Sequence, residues 1–208
     1  MRLLNDATSP FGRKIMVAAL ERKIPLAEQF IDVYSPGEID HYNSLRQIPT
    51  LITDDDRGVF DSAVIISMLD ALHGGAPLVP DDRKADVLVR AALADGVMEA
   101  VLQRVMELRR PPQRQDSAFV DKLEGRINRS LRRINDELAG LAGDPPTADA
   151  IAVACALEYV DFRFPVNWRE TYPGLAAWAD AFAVRSSMVS TRPSRTAPCA
   201  PIAEGEGR

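Results

Sequence analysis

The sequence is poor in cysteine and histidine, with two residues of each among 208. Cys155 and Cys199 lie far apart and form no CxxC pair, so neither a disulfide framework nor a cysteine-based metal site is indicated. His41 and His73 have no Ser/Asp pattern beside them that would suggest a catalytic triad. We therefore predict no metal site, and a protein suited to a reducing compartment.

The sequence also lacks a basic excess and a long apolar run. With 30 acidic and 25 basic residues the net charge is −5, which disfavours a nucleic acid or an acidic membrane as partner. The opening MRLL is too short to be the apolar core of a signal peptide or a membrane span. We expect a cytoplasmic protein with no membrane partner.

What is present is a globular balance of 46% apolar and 26% charged residues, arranged as a small α/β layer followed by helices. Alternation, turn residues and helical spacing predict strands at 1–6, 28–33, 50–53 and 59–60, with helices at 10–21 and 63–72. The order β-α-β and then β-β-α fits a four-stranded layer with a parallel half and an antiparallel half.

After a Gly- and Pro-rich break at 73–82 the strand signals end. Helical runs are predicted at 83–109, 118–140, 148–163 and 173–185. The third run is apolar nearly all round at its start, as is typical of a helix inside a bundle. We predict an α/β domain at 1–75, a linker at 76–84, an all-α domain at 85–193 and a disordered tail at 194–208.

Ser9 in TSPFGRK is a predicted helix cap, since Pro10 is favoured at the first helical position. A helix N-terminus carries unpaired N–H groups and a partial positive charge, and it lowers the pKa of a thiol placed there. A nearby hydroxyl could donate one more hydrogen bond to the thiolate. On the spacing alone Ser9 is either a plain cap or such a donor.

Two further pairs have a structural and a functional interpretation. Ile48-Pro49 precedes a strand; a cis bond there would turn the Ile48 backbone outward to pair with an extended peptide, whereas a trans bond would only blunt the strand. Asp61-Ser62 opens a helix, where ordinary capping residues also suit the carboxylate and ammonium of an amino-acid head group.

The ordered segments TSPFGRK, NSLRQIPTL and DS, followed by PTADAIAVACALEYVDFRFP and YPGLAAWADAFAVRSSMVSTRP, resemble a serine-type glutathione S-transferase over residues 1–193. The resemblance implies a thioredoxin-like N-terminal domain with a cis Pro49, an all-α C-terminal domain and a homodimer. It implies glutathione as co-substrate, with no cofactor. It also implies attack of the glutathione thiolate on a small hydrophobic electrophile held by the helical domain.

By the same resemblance, Ser9 stabilises the thiolate and Ile48 pairs with the cysteinyl amide. Gln47 stands where a Lys is common, so it would hold a carboxylate without a charge of its own. Asp61 and Ser62 hold the γ-glutamyl end, and Asp95 reaches the glutathione of the neighbouring subunit.

The chain departs from the family pattern at four places: Ser44, Gln47, Asp61 in place of Glu, and Asp149, one position early for a reciprocal cap with Thr147. The departures leave open a binding or regulatory protein with little activity. A glutathione-dependent peroxidase is also open, because there the thiolate belongs to glutathione. A thiol–disulfide enzyme would need a nucleophilic cysteine where Ser9 stands. Cys155 is predicted to be core.

Overall fold

The structure is a computed structural model that describes residues 1–35, 37–164 and 166–193. The predicted disordered tail and Cys199 lie outside the described residues. No helix in these ranges is both long and apolar enough to cross a membrane.

The first part of the chain forms a four-stranded mixed sheet. Its strands are β1 (Arg2–Asn5), β2 (Ala27–Phe30), β3 (Thr50–Ile52) and β4 (Gly58–Val59). They are ordered β2-β1-β3-β4, with β1 parallel to β2 and both other pairs antiparallel. This confirms the predicted thioredoxin-like layer.

The predicted second strand, 28–33, was too long at its end. The ladder finishes with a hydrogen bond from Ile31 N–H to the carbonyl of Asn5. The Asp32 carboxylate then accepts from Tyr34 N–H at 2.9 Å and from Ser35 Oγ at 2.7 Å. This side-chain turn takes the backbone out of the sheet, a competition typical of Asp.

The described ranges hold helices α1 (Pro10–Glu21), α2 (Ile39–Tyr42), α3 (Ser62–Leu72), α4 (Lys84–Leu108), α5 (Ser117–Asp136), α6 (Ala148–Arg163), α7 (Trp168–Thr171), α8 (Pro173–Ala183) and α9 (Ser186–Ser190). The predicted run 118–140 is α5 followed by a separate 3-10 turn, Leu138–Leu141. The run 173–185 ends at Ala183, and α9 begins anew at Ser186. The four-residue α7 was not predicted.

One hydrophobic core continues from the sheet into the helices. Leu3 and Leu51 of the sheet and Ile15 of α1 belong to the same buried cluster as Val97 of α4 and Ile151 of α6. The opposite sheet face has a small separate cluster of Leu4, Ile39 and Ile52. Helix α1 therefore lies between the sheet and the bundle, and it brings residues of both parts close to its N-terminus.

The start of α6 differs from the usual reciprocal cap. Thr147 occupies the N-cap position, but its side chain caps no N–H group of the helix. Its hydroxyl instead donates to Asp149 Oδ1 at 2.6 Å, while Arg90 Nε of α4 donates to Oδ2 at 2.7 Å. The early position of Asp149 thus serves a buried ion pair between α4 and α6.

Candidate functional site

The N-terminus of α1 is capped by Ser9, as the sequence predicted. Its backbone is extended, and its Oγ accepts a hydrogen bond from Gly12 N–H at 3.3 Å. Since that contact uses the oxygen as acceptor, the hydroxyl proton stays available for another acceptor. The geometry combines a half-buried hydroxyl with the positive end of a twelve-residue helix.

The loop before β3 presents free backbone groups. The Ile48–Pro49 peptide is cis. Among the described residues, neither the N–H nor the C=O of Ile48 has a hydrogen-bond partner. These two groups are what an extended peptide ligand would use.

Asn43 holds this loop in place, a role that sequence reasoning missed. The side chain is buried, and its Nδ2 donates to the Gln47 carbonyl and to Thr50 Oγ1, both at 2.9 Å. Its Oδ1 accepts from Leu45 N–H at 2.9 Å. The sequence did contain a signal for this role. Asn43 stands four residues before Gln47, and asparagine side chains commonly form hydrogen bonds with nearby backbone groups.

Asp61 and Ser62 form the start of α3. Asp61 Oδ1 accepts from Ala63 N–H at 2.7 Å, which confirms the capping interpretation. Ser62 is 6% exposed, and its hydroxyl has no hydrogen-bond partner among the described residues. The helix start therefore offers an unused hydroxyl beside N–H groups that suit a carboxylate.

A cleft of about 700 Å³ separates the sheet domain from α4. It is lined by six of the seven predicted site residues: Gln47, Ile48, Pro49, Asp61, Ser62 and Asp95. Phe11, Phe60 and Leu102 add apolar surface that the prediction did not include. Volume and lining are those of a site for a small molecule.

Ser9 is the predicted residue that does not line this cleft. It faces a separate recess of about 10 Å³, together with Arg13, Cys155 and Tyr159. Phe11, two residues further along α1, does line the cleft. Ser9 thus stands beside the cleft, at the end of the helix that borders it.

Cys155 is a buried core residue, as predicted. Burial raises the pKa of its thiol to about 11, so the thiol is protonated at neutral pH. It is therefore unsuited to act as a nucleophile. Within the described ranges, no three His, Cys, Asp or Glu side chains are grouped so that they could hold a metal ion.

Asp95 is engaged within its own chain. Its Oδ1 lies 2.6 Å from Nζ of Lys14, a lysine of α1 that is only 2% exposed. The prediction overlooked Lys14. It lies three residues after Phe11 and four before Ala18, on the apolar face of α1, where a lysine needs a counter-charge.

Arg13 connects α1 to the other end of the chain. It is 7% exposed and forms an ion pair with Glu158 of α6. Its Nη2 donates to the carbonyl of Met188 at 3.1 Å, and its Nε to Thr191 Oγ1 at 3.3 Å. These contacts fix the first turn of α1, and with it Ser9, against the helical domain.

Comparisons with known proteins agree with this architecture. Residues 8–72 match the model of the glutathione S-transferase N-terminal domain, and residues 99–181 match that of the C-terminal domain. The uncharacterized GST-like protein YibF of Escherichia coli (strain K12) is 30% identical over 203 residues, covering 94% of this chain and 100% of that protein.

Two solved structures are similar over nearly their whole length. A glutathione transferase family member from Pseudomonas fluorescens Pf-5, crystallised with bound glutathione, is 37% identical with a TM-score of 0.89, covering 93% of this chain and 98% of that one. A glutathione S-transferase from Methylobacillus flagellatus KT, with GSH bound, is 36% identical with a TM-score of 0.87, covering 93% and 99%. Both halves of the fold and the relatives agree: the chain belongs to the glutathione S-transferase family.

Proposed function

We propose that the protein is a cytoplasmic glutathione transferase that binds glutathione in the 700 Å³ cleft and conjugates it to a small hydrophobic electrophile. The observation that carries the proposal is the convergence of the Ile48 backbone, the start of α3 and Asp95 on one cleft beside the N-terminus of α1. The two relatives crystallised with glutathione support it.

In this proposal the cleft holds an extended tripeptide. The free N–H and C=O of Ile48 pair with the cysteinyl amide, and Gln47 donates to the glycine carboxylate. The start of α3 at Ser62 takes the γ-glutamyl carboxylate and Asp61 attracts its ammonium, while Asp95 reaches the glutathione of the neighbouring subunit. The protein needs no cofactor, because glutathione brings the reactive sulfur.

Ser9 would act on the sulfur by donating its free hydroxyl proton. The partial positive charge of α1 and this hydrogen bond both favour the thiolate over the thiol. The thiolate forms a carbon–sulfur bond as the leaving group departs with its electron pair. Phe11, Phe60 and Leu102 offer apolar contacts to the electrophile.

The Ser9→Ala variant is expected to lose about ten- to a hundredfold in kcat/KM with 1-chloro-2,4-dinitrobenzene, since hydrogen bonds to charged groups contribute about 1.5–3 kcal/mol. Its pH–rate profile should move to higher pH, because the thiolate loses a donor. Removal of the helix cap should also lower the free energy of unfolding by about 1 kcal/mol. Urea unfolding measures this loss independently of the loss in kcat/KM.

The control is Ser117→Ala, an exposed serine in the first turn of α5 that does not line the cleft. It should leave kcat/KM unchanged. Thermal shift with millimolar glutathione tests binding apart from turnover. A wild type with neither a shift nor conjugation would contradict the proposed function; binding without turnover would support the binding-protein alternative.

We also propose that the protein is a homodimer formed through α3 and α4, where Val64 is 52% exposed and Val89 59%. A charge placed at Val89 should split the dimer, because a buried unpaired charge is costly. Light scattering on Val89→Arg should therefore give half the mass of the wild type. The matched control is Val184→Arg. Val184 caps the end of α8 and is 77% exposed, and this variant should remain dimeric. A monomeric wild type would refute this assembly.

A further inference from the structure

The helical wall of the cleft is one face of α4. It is lined by Ala92, Asp95, Gly96, Glu99 and Leu102. Positions 92, 95, 99 and 102 recur every three or four residues, with Gly96 beside Asp95, so the five share one side of the helix. Two of the five are carboxylates, one helical turn apart. The wall opposite the proposed glutathione site is therefore rich in negative charge.

The two carboxylates are compensated unequally. Asp95 is paired with the buried Lys14 at 2.6 Å, so its charge is balanced within the protein. Glu99 is exposed and accepts a hydrogen bond from Gln103 Nε2 at 3.1 Å, a neutral amide. Within the described residues Glu99 takes part in no ion pair, so its carboxylate has no counter-charge at the cleft surface.

The cleft contains little positive charge to offset Glu99. Among the described lining residues, Arg46 is the one lysine or arginine. Its guanidinium is already engaged by Asp40, with an Nη2–Oδ2 distance of 2.9 Å. Near the α4 wall, the electrostatic potential that acts on a ligand is therefore set mainly by the negative charge of Glu99.

We propose that Glu99 sets the charge selectivity for the second substrate, favouring neutral or cationic electrophiles over anionic ones. The inference rests on the proposed function, because glutathione held by Ile48 and Ser62 covers the sheet-domain wall. Glu99 lines the same cleft as Ile48 and Ser62, so a group attached to the glutathione sulfur in this cleft shares its space with Glu99. An anionic group there is repelled by Glu99, and no free cation in the described lining offsets the repulsion.

The test compares two glutathione conjugates of nearly equal shape, S-(4-carbamoylbenzyl)glutathione and S-(4-carboxybenzyl)glutathione, by calorimetry. The wild type should bind the amide about fivefold more tightly, the ratio expected for like charges a few ångströms apart in water. Added NaCl should reduce this ratio through screening. Glu99→Gln should bring the ratio close to one, and Glu99→Lys should invert it.

Two variants test whether the binding ratio depends on charges at the cleft or on the net charge of the whole protein. Asp121→Asn removes an exposed carboxylate of α5, outside the cleft, and should leave the ratio unchanged. Lys14→Met removes the counter-charge of Asp95 and should raise the ratio, because a second carboxylate becomes unbalanced. The inference is overturned if Glu99→Gln keeps the wild-type ratio, or if Asp121→Asn changes it equally. If the wild type binds neither conjugate nor free glutathione, the proposed function itself fails, and this inference with it.

Discussion

Replacing Asp149 by alanine is expected to lower the free energy of unfolding by about 3–5 kcal/mol, because a buried guanidinium then loses its counter-charge. Asp149 is 0% exposed and accepts from Arg90 Nε at 2.7 Å, and Arg90 is itself 8% exposed. Arg90 Nη2 also reaches the Gly140 carbonyl at 3.3 Å, so the pair joins α4, α6 and the turn before α6. Urea unfolding followed by the fluorescence of the buried Trp168 measures the loss.

Three further variants make this result specific. Asp121→Ala removes an exposed carboxylate and should stay within about 0.5 kcal/mol of the wild type. Asp149→Asn keeps the size of the side chain and should cost less than Asp149→Ala. The double variant Arg90→Met/Asp149→Leu should recover most of the loss, because the unpaired charge is gone. A loss below about 1 kcal/mol in Asp149→Ala would show that the pair is not a main support of the α4–α6 junction.

Gly12→Ala is expected to destabilise the protein by about 1–3 kcal/mol, although alanine in place of glycine normally favours a helix by about 1 kcal/mol. A Cβ at this position would lie 1.7 Å from Asn5 Oδ1 and 2.1 Å from Asn5 Cγ. Asn5 is 2% exposed and its Nδ2 donates to Glu28 Oε1 at 2.7 Å, so its side chain has little room to turn aside and we expect the first turn of α1 to move away from β1. Ser9 would move with it, so kcat/KM should fall by up to about a hundredfold, as measured by steady-state conjugation.

The matched control is Gly125→Ala in α5, where the nearest atom to the added Cβ is the end of a flexible side chain, Arg129 Nη1 at 3.1 Å. That variant should be more stable than the wild type by up to about 1 kcal/mol, with full activity. Asn5→Ala combined with Gly12→Ala should restore part of both losses, because the space is reopened. Equal behaviour of Gly12→Ala and Gly125→Ala would contradict the steric explanation.

The sequence predicted best those features that depend on neighbours in the chain. The start of α1 at Pro10 and its cap Ser9 follow from two adjacent residues, as does the Asp61 cap of α3. Of the six predicted residues that line the cleft, Ile48-Pro49 and Asp61-Ser62 have a recognisable local pattern, whereas Gln47 and Asp95 were predicted from the family resemblance. Such local features can be predicted because they depend on residues that are neighbours in the sequence and not on how distant segments pack.

What the sequence did not predict are the contacts between distant segments. Lys14 and Asp95 are 81 positions apart, and Arg90 and Asp149 are 59 apart. Nothing local to either member indicates its partner, since only the packing of α1 and α6 on α4 brings the charges together. Ser9 shows the same limit, because its cap was predictable but its position beside the cleft was not.

The first turns of α1 contain three successive residues that contact three different parts of the chain. Gly12 is covered by Asn5 of the sheet, Arg13 binds α6 and the segment after α9, and Lys14 binds Asp95 of α4. Contacts in three directions restrict how far this end of the helix can tilt. Because Lys14 ties the helix end that carries Ser9 to Asp95 of α4, and Asn5 of β1 packs on Gly12, this end of α1 couples the spacing of the two cleft walls to the position of Ser9.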